Sequence, residues 1–147
     1  MKSILLILAS VLLLSAASVN GQAPGNSLFD KCRSMAGSNA VYLKDFIVRF
    51  PAAQSNQTPP VSRNSVILSK NIRYRFSVCN SDKYDGVAVI QLFDEEKLLL
   101  SNFIRQSDKI YPYFDFVCNR TGRYYVMISF KDGKAGEAVG IMSYIKQ

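Results

Sequence analysis

Histidine is absent from the 147 residues, and that absence narrows the chemistry more than any feature present. Ser-His-Asp and Cys-His nucleophile systems need an imidazole base, and many zinc sites need it as a ligand, so both are excluded. Cysteine is scarce: Cys32, Cys79 and Cys118 form no CxxC pair and are too few for an all-cysteine zinc site. No phosphate-binding or dinucleotide-binding glycine loop occurs, because the glycines fall in turns between strands rather than between a strand and a helix. Blocks of like charge are also missing. The chain carries 18 Lys and Arg against 11 Asp and Glu, yet the cations are scattered. That pattern suits anionic surfaces such as acidic polysaccharide or lipid headgroups better than nucleic acid.

Long apolar runs are confined to the start. MKSILLILASVLLLSAASVNGQ has one Lys, an apolar core and then small residues, the plan of a secretory signal peptide, and its core is too short to span a bilayer. Cleavage after Ala17 or Gly21 is expected, so residues 1–21 read as a signal peptide and no membrane span remains after its removal. With Lys2 set aside, 17 cations face 11 carboxylates, a net of +6 for the mature chain. Secretion or residence in the periplasm or cell envelope follows.

Residues 22–40 read as a short lead and a helix, with Asn26 or Ser27 as cap, Leu28, Cys32 and Met35 on one face, and Gly37 as the stop. From residue 41 to 147 the apolar period is two. YLKDFIVRF, SVILS, IRYRFSVC, GVAVIQLF, KLLLSNFI, YPYFDFVC, RYYVMISF and EAVGIMSYI read as eight strands separated by turn-forming segments. The expected fold class is all-β, an antiparallel jelly-roll-like sandwich behind a short N-terminal helix. A weak internal echo, RFSVCN with DGVAVIQLFD and FDFVCN with TGRYYVMISFKD, reads as two similar hairpins.

If the strands alternate in direction, Cys79 and Cys118 lie at opposite ends of the sandwich, beyond the roughly 7 Å Cα separation that a disulfide permits. Cys32 on the helix is free to reach either, and Cys118 is the expected partner because the strand from Tyr42 starts near that end. Three unbridged thiols remain the alternative. Asn119-Arg-Thr121 is a glycosylation sequon if the source is eukaryotic, although Asn and Thr beside Gly122 also suit a tight turn.

Four side chains are candidates for ligand contact. Arg73 and Arg75 point out of their strand, Tyr125 out of the strand RYYVMISF, and Tyr84 stands in a loop. An outer sheet face joining Tyr125 to the two arginines would stack on sugar rings or take acidic groups. Asp94, Glu95 and Glu96 sit together, but in a turn, without the opposed pair that a glycosidase needs. Asp82, Asp85 and Asp132 lack the spacing of a calcium loop, so neither a metal nor another cofactor is expected.

The segments carrying Tyr74-Arg75-Phe76, Phe93-Asp94 and Gly122-Arg123-Tyr124-Tyr125-Val126 resemble the bacterial pre-peptidase C-terminal type of β-sandwich over roughly Ser65 to Ile145. The resemblance implies a non-catalytic domain of the kind appended to secreted hydrolases, assisting secretion, substrate attachment or stability. No protease segment precedes it here, so the chain reads as a free-standing copy. The expected function is a non-enzymatic exported module binding a partner protein or polysaccharide, with no nucleic-acid partner. The alternatives are an assembly subunit that pairs strand edges and a glycan hydrolase using Asp94 or Glu95.

Overall fold

The computed structural model describes residues 24–147, so the expected signal peptide and its cleavage sites lie outside the described residues. Helix α1 (Pro24–Met35) precedes β1 (Ala40–Phe50), β2 (Val61–Leu68), β3 (Arg73–Asn80), β4 (Ala88–Asp94), β5 (Lys97–Ser101), β6 (Phe103–Ile104), β7 (Lys109–Ile110), β8 (Tyr113–Val117), β9 (Gly122–Phe130) and β10 (Gly136–Ile145). The first sheet has the order β1-β10-β3-β8 and the second β2-β9-β4-β5, while β6 and β7 form a small hairpin of their own. All pairings are antiparallel. The all-β sandwich expected from the period of two is the observed architecture.

The period also selects the core. Tyr74, Phe76 and Val78 of β3 and Tyr124, Val126, Ile128 and Phe130 of β9 are buried between the sheets, as alternation requires. Phe46 and Val48 of β1, Val66 and Leu68 of β2, and Ile90 and Leu92 of β4 complete the same cluster. Each of the large side chains buried there contributes about 1.5–3 kcal/mol by leaving water.

One expected strand is interrupted and another is shortened. KLLLSNFI breaks at Asn102 into β5 and β6, and YPYFDFVC is cut back to β8, which begins after Pro112, with β7 lying just before it. Asn102 is buried, its Oδ1 accepts from Ile90 N at 2.8 Å, and its Nδ2 donates to Ala88 O and Tyr111 O. A side chain standing in for strand partners in this way stops the ladder.

The two echoed segments are not hairpins. β3 and β8 are neighbours in the first sheet, whereas β4 and β9 are neighbours in the second. Each segment therefore crosses from one layer to the other, about 10 Å away, and because β3 and β8 are antiparallel the two arches lie at opposite ends of the sandwich. The second arch is tied to the β2–β3 connection: Asn71 N donates to Cys118 O, Cys118 N to Ile72 O, and Lys70 N to Thr121 Oγ1.

Helix α1 begins at Pro24, upstream of the expected caps, which fits the preference for proline in a first helical turn. It ends before Gly37, whose φ of +97° is the left-handed conformation that glycine adopts freely. Leu28, Cys32 and Ala36 are buried at a spacing of four, while Met35, expected to face inward, is half exposed.

The helix lies on the outer face of the first sheet, against β3 and β10, and this decides the disulfide. Cys32 bonds to Cys79, with Cα atoms 5.5 Å apart, and Cys118 is a buried free thiol. The expected Cys32–Cys118 bridge is thus corrected. Cys79 shares the outer face of β3 with Arg75 and Ser77, under the helix, whereas Cys118 belongs to the inner core cluster, which a helix packed outside cannot reach. The separation of Cys79 from Cys118 is as expected, since Arg73 pairs with Val117 and leaves Cys118 at the far end of β3.

Candidate functional site

Arg75, expected to be a free outward cation, is built into the scaffold. Its Nε and Nη2 donate to the two carboxylate oxygens of Asp115 at 2.7 and 2.9 Å, its Nη1 donates to Ala36 O at 2.8 Å, and its guanidinium lies 4.0 Å from the centre of the Tyr113 ring. Asp115 is its register partner on β8. The side chain therefore joins two strands and holds the end of the helix, and the Asp115 hydrogen bonds raise its pKa against the opposing effect of burial. Arg73, two residues earlier, is exposed at the start of β3.

Tyr125 does not join them. It stands on β9, in the second sheet, so its outward direction is opposite to theirs. The guanidinium of Arg63, on β2, lies 3.9 Å from the Tyr125 ring centre. Tyr84, in the β3–β4 connection, accepts hydrogen bonds from Nε and Nη2 of Arg49, whose guanidinium also lies 3.5 Å from Glu137. Arg73 and Arg75 thus share the outer face of β3, while Tyr125 and Tyr84 stand apart from them.

The acidic turn is equally occupied. Asp94 receives both of its carboxylate contacts from Nη2 of Arg120, at 2.9 and 2.8 Å, and these bonds are the main cause of the raised Arg120 pKa. Glu95 and Glu96 are exposed, Glu95 with a φ of 53° that closes the β4–β5 turn. Among the described residues no three His, Cys, Asp or Glu side chains gather as a metal site would require. Asn119 is exposed on the arch between β8 and β9.

Sequence reasoning missed the open surface of the second sheet. Ser65, Tyr125, Phe93 and Leu98 lie in register across β2, β9, β4 and β5, all facing outward. Ile67 is 65% exposed, Val61 51% and Leu98 46%. At one margin this face descends into a groove of about 600 Å³, bounded by the β6–β7 hairpin and containing Val89, Gln91, Phe103 and Lys131. A second groove, of about 520 Å³, runs between the end of α1 and β1, beside Arg33 and Tyr42. The alternation of Val61, Arg63, Ser65 and Ile67 was the available signal for the first surface, obscured by the polar residues among them.

Among the described residues no helix is long and apolar enough to cross a membrane. No family model and no curated protein matches the chain. Its architecture is similar to that of PliG from Aeromonas hydrophila, a periplasmic lysozyme inhibitor of g-type lysozyme. The TM-score is 0.51 at 9% identity, over 71% of this chain and 87% of that one.

Proposed function

We propose that this chain is an exported, non-catalytic β-sandwich that binds a protein partner in the cell envelope or outside the cell. The observation that carries the reading is the likeness of its fold to a periplasmic protein that inhibits a lysozyme, and so acts through a protein partner. Two features are consistent with it. Asp94, the foremost carboxylate for a hydrolase, is held by Arg120, and Arg75 serves the scaffold. Polysaccharide remains the other ligand class of this reading, and the pre-peptidase C-terminal resemblance is compatible with either.

The test is retention. Mature protein immobilised at low ionic strength is exposed to envelope and extracellular fractions of its host and to their isolated polysaccharides. Specific retention of a protein that elutes in moderate salt is the expected result. Retention of polysaccharide alone changes the ligand class, and no retention of either overturns the reading.

A second reading, an assembly subunit joined through strand edges, is favoured by one observation: β5, within KLLLSNFI, is an edge strand of the second sheet with Leu98 exposed. Concentration-dependent sedimentation supports this reading, and a monomer at high concentration removes it.

A further inference from the structure

The two outer faces of the sandwich are treated differently. On the first sheet, α1 covers Ser77, Cys79 and Ile141, and the Cys32–Cys79 disulfide holds it there. On the second sheet, no helix among the described residues covers the row Ser65, Tyr125, Phe93 and Leu98. A continuous row containing two aromatic rings and a leucine, with Ile67 next to Ser65 on the same face of β2, exceeds the singly scattered apolar residues of an ordinary surface.

The charge on this face has one sign. None of the outward positions of β2, β9 or β4 is Asp or Glu, and two of them are Arg63 and Arg123, the latter paired in register with Ile67. The flanking carboxylates Asp94 and Asp108 are taken by Arg120 and by Lys131, Asp132 lines the marginal groove next to Lys131, and Glu95 and Glu96 lie beyond the end of the strands, in the turn. Stacking on Tyr125 holds the guanidinium of Arg63 over the ring. A flat, supported guanidinium is suited to a bidentate carboxylate contact.

From this arrangement we infer that the outer face of the second sheet is the docking surface for an acidic protein segment, one that sets aliphatic or aromatic side chains on the Tyr125 row and carboxylates against Arg63 and Arg123. The inference rests on the partner-binding reading above and adds both the surface and the chemistry of the partner. A second copy of the chain is disfavoured, because a twofold face-to-face contact brings two sets of arginines together. A neutral glycan is disfavoured because the apolar row offers few hydrogen-bonding groups for sugar hydroxyls.

The test uses a displayed library of random twelve-residue peptides, selected on the full mature chain and then measured on variants. Selected peptides are expected to combine Asp or Glu with apolar residues. Their binding should weaken by about tenfold or more in Arg63→Glu/Arg123→Glu, as loss of a charge-assisted contact implies, and also in Ile67→Ser. All three positions are exposed, so circular dichroism should confirm an unchanged fold. Arg63→Lys, which keeps the charge but loses the planar fork, should give an intermediate loss.

Selected peptides that bind the variants as well as the parent overturn the surface assignment while leaving partner binding intact. Failure to select any peptide overturns the inference, and the host-fraction experiment then decides separately whether a protein partner exists. Anionic phosphatidylglycerol vesicles, an acidic polysaccharide and sedimentation of the free chain are run in parallel. Face-dependent binding to vesicles or polysaccharide, or a dimer broken by the arginine variants, assigns the face to that occupant instead and overturns the proposal.

Discussion

Asn102 and Ser77 show how differently two buried polar side chains bear on stability. Asn102 satisfies Ile90 N, Ala88 O and Tyr111 O, so Asn102→Ala strands buried backbone groups and should cost about 3 kcal/mol in urea denaturation. The Ser77 hydroxyl is buried without a partner, and Ser77→Ala should leave stability unchanged or raise it by up to about 1 kcal/mol. Tyr124 offers a pH test. Its phenol is buried, donates to Arg120 O at 2.7 Å, and has a pKa raised from the ordinary 10.0, chiefly by desolvation and then by the Cys118 thiol. The neutral form is favoured in the folded chain. Its contribution is therefore complete below pH 10 and is lost as pH rises through the raised value. Tyr124→Phe should shrink the alkaline loss of stability, followed by thermal melts between about pH 8 and 12; an unchanged alkaline slope would contradict this account.

At the scale of elements, the helix is the part whose position depends on a covalent bond. The Cys32–Cys79 bridge spans 47 residues, and closing a loop of that length is worth about 4 kcal/mol in the chain-entropy account. Cys32→Ser/Cys79→Ser should lower stability by about 2–4 kcal/mol. Amide exchange should rise in α1 more than in β9, because β9 is central in the second sheet and packs through the main core. Thiol labelling gives an independent check. The native parent should resist labelling because Cys118 is buried, and the denatured, unreduced chain should take one label. Two or three labels would contradict the bridge. Gly136 is a second point of dependence: an added Cβ would stand 2.2 Å from the Phe130 ring, so Gly136→Ala should displace that ring and cost about 1–3 kcal/mol.

For the whole molecule, the distinction is between a sandwich face closed by a helix and one left open with positive charge. Partner binding on the open face should be sensitive to salt, because exposed charges are screened over about 10 Å at 0.1 M and about 3 Å at 1 M. Titrating salt against binding of an acidic selected peptide should weaken the parent more steeply than Arg63→Glu/Arg123→Glu. Equal salt dependence would place the electrostatic contribution elsewhere on the basic surface.

Much of this architecture is local, and for that reason was legible in the sequence. Alternation in RYYVMISF determines that Tyr124, Val126, Ile128 and Phe130 face inward, and strand direction determines that Cys79 and Cys118 lie apart. The lack of histidine removes whole classes of chemistry before any fold is considered. Which sheet each strand joins is not local, since the same alternating strands serve a hairpin or an arch between layers. Only the tertiary structure put Tyr125 on the opposite face from Arg73 and Arg75, tied the outward-facing Arg75 to Asp115 and Ala36, and laid α1 over Cys79. Those outcomes depend on pairings between residues distant in the chain and on which outer face a short amphipathic helix covers. The open face exists because the helix went to the other sheet.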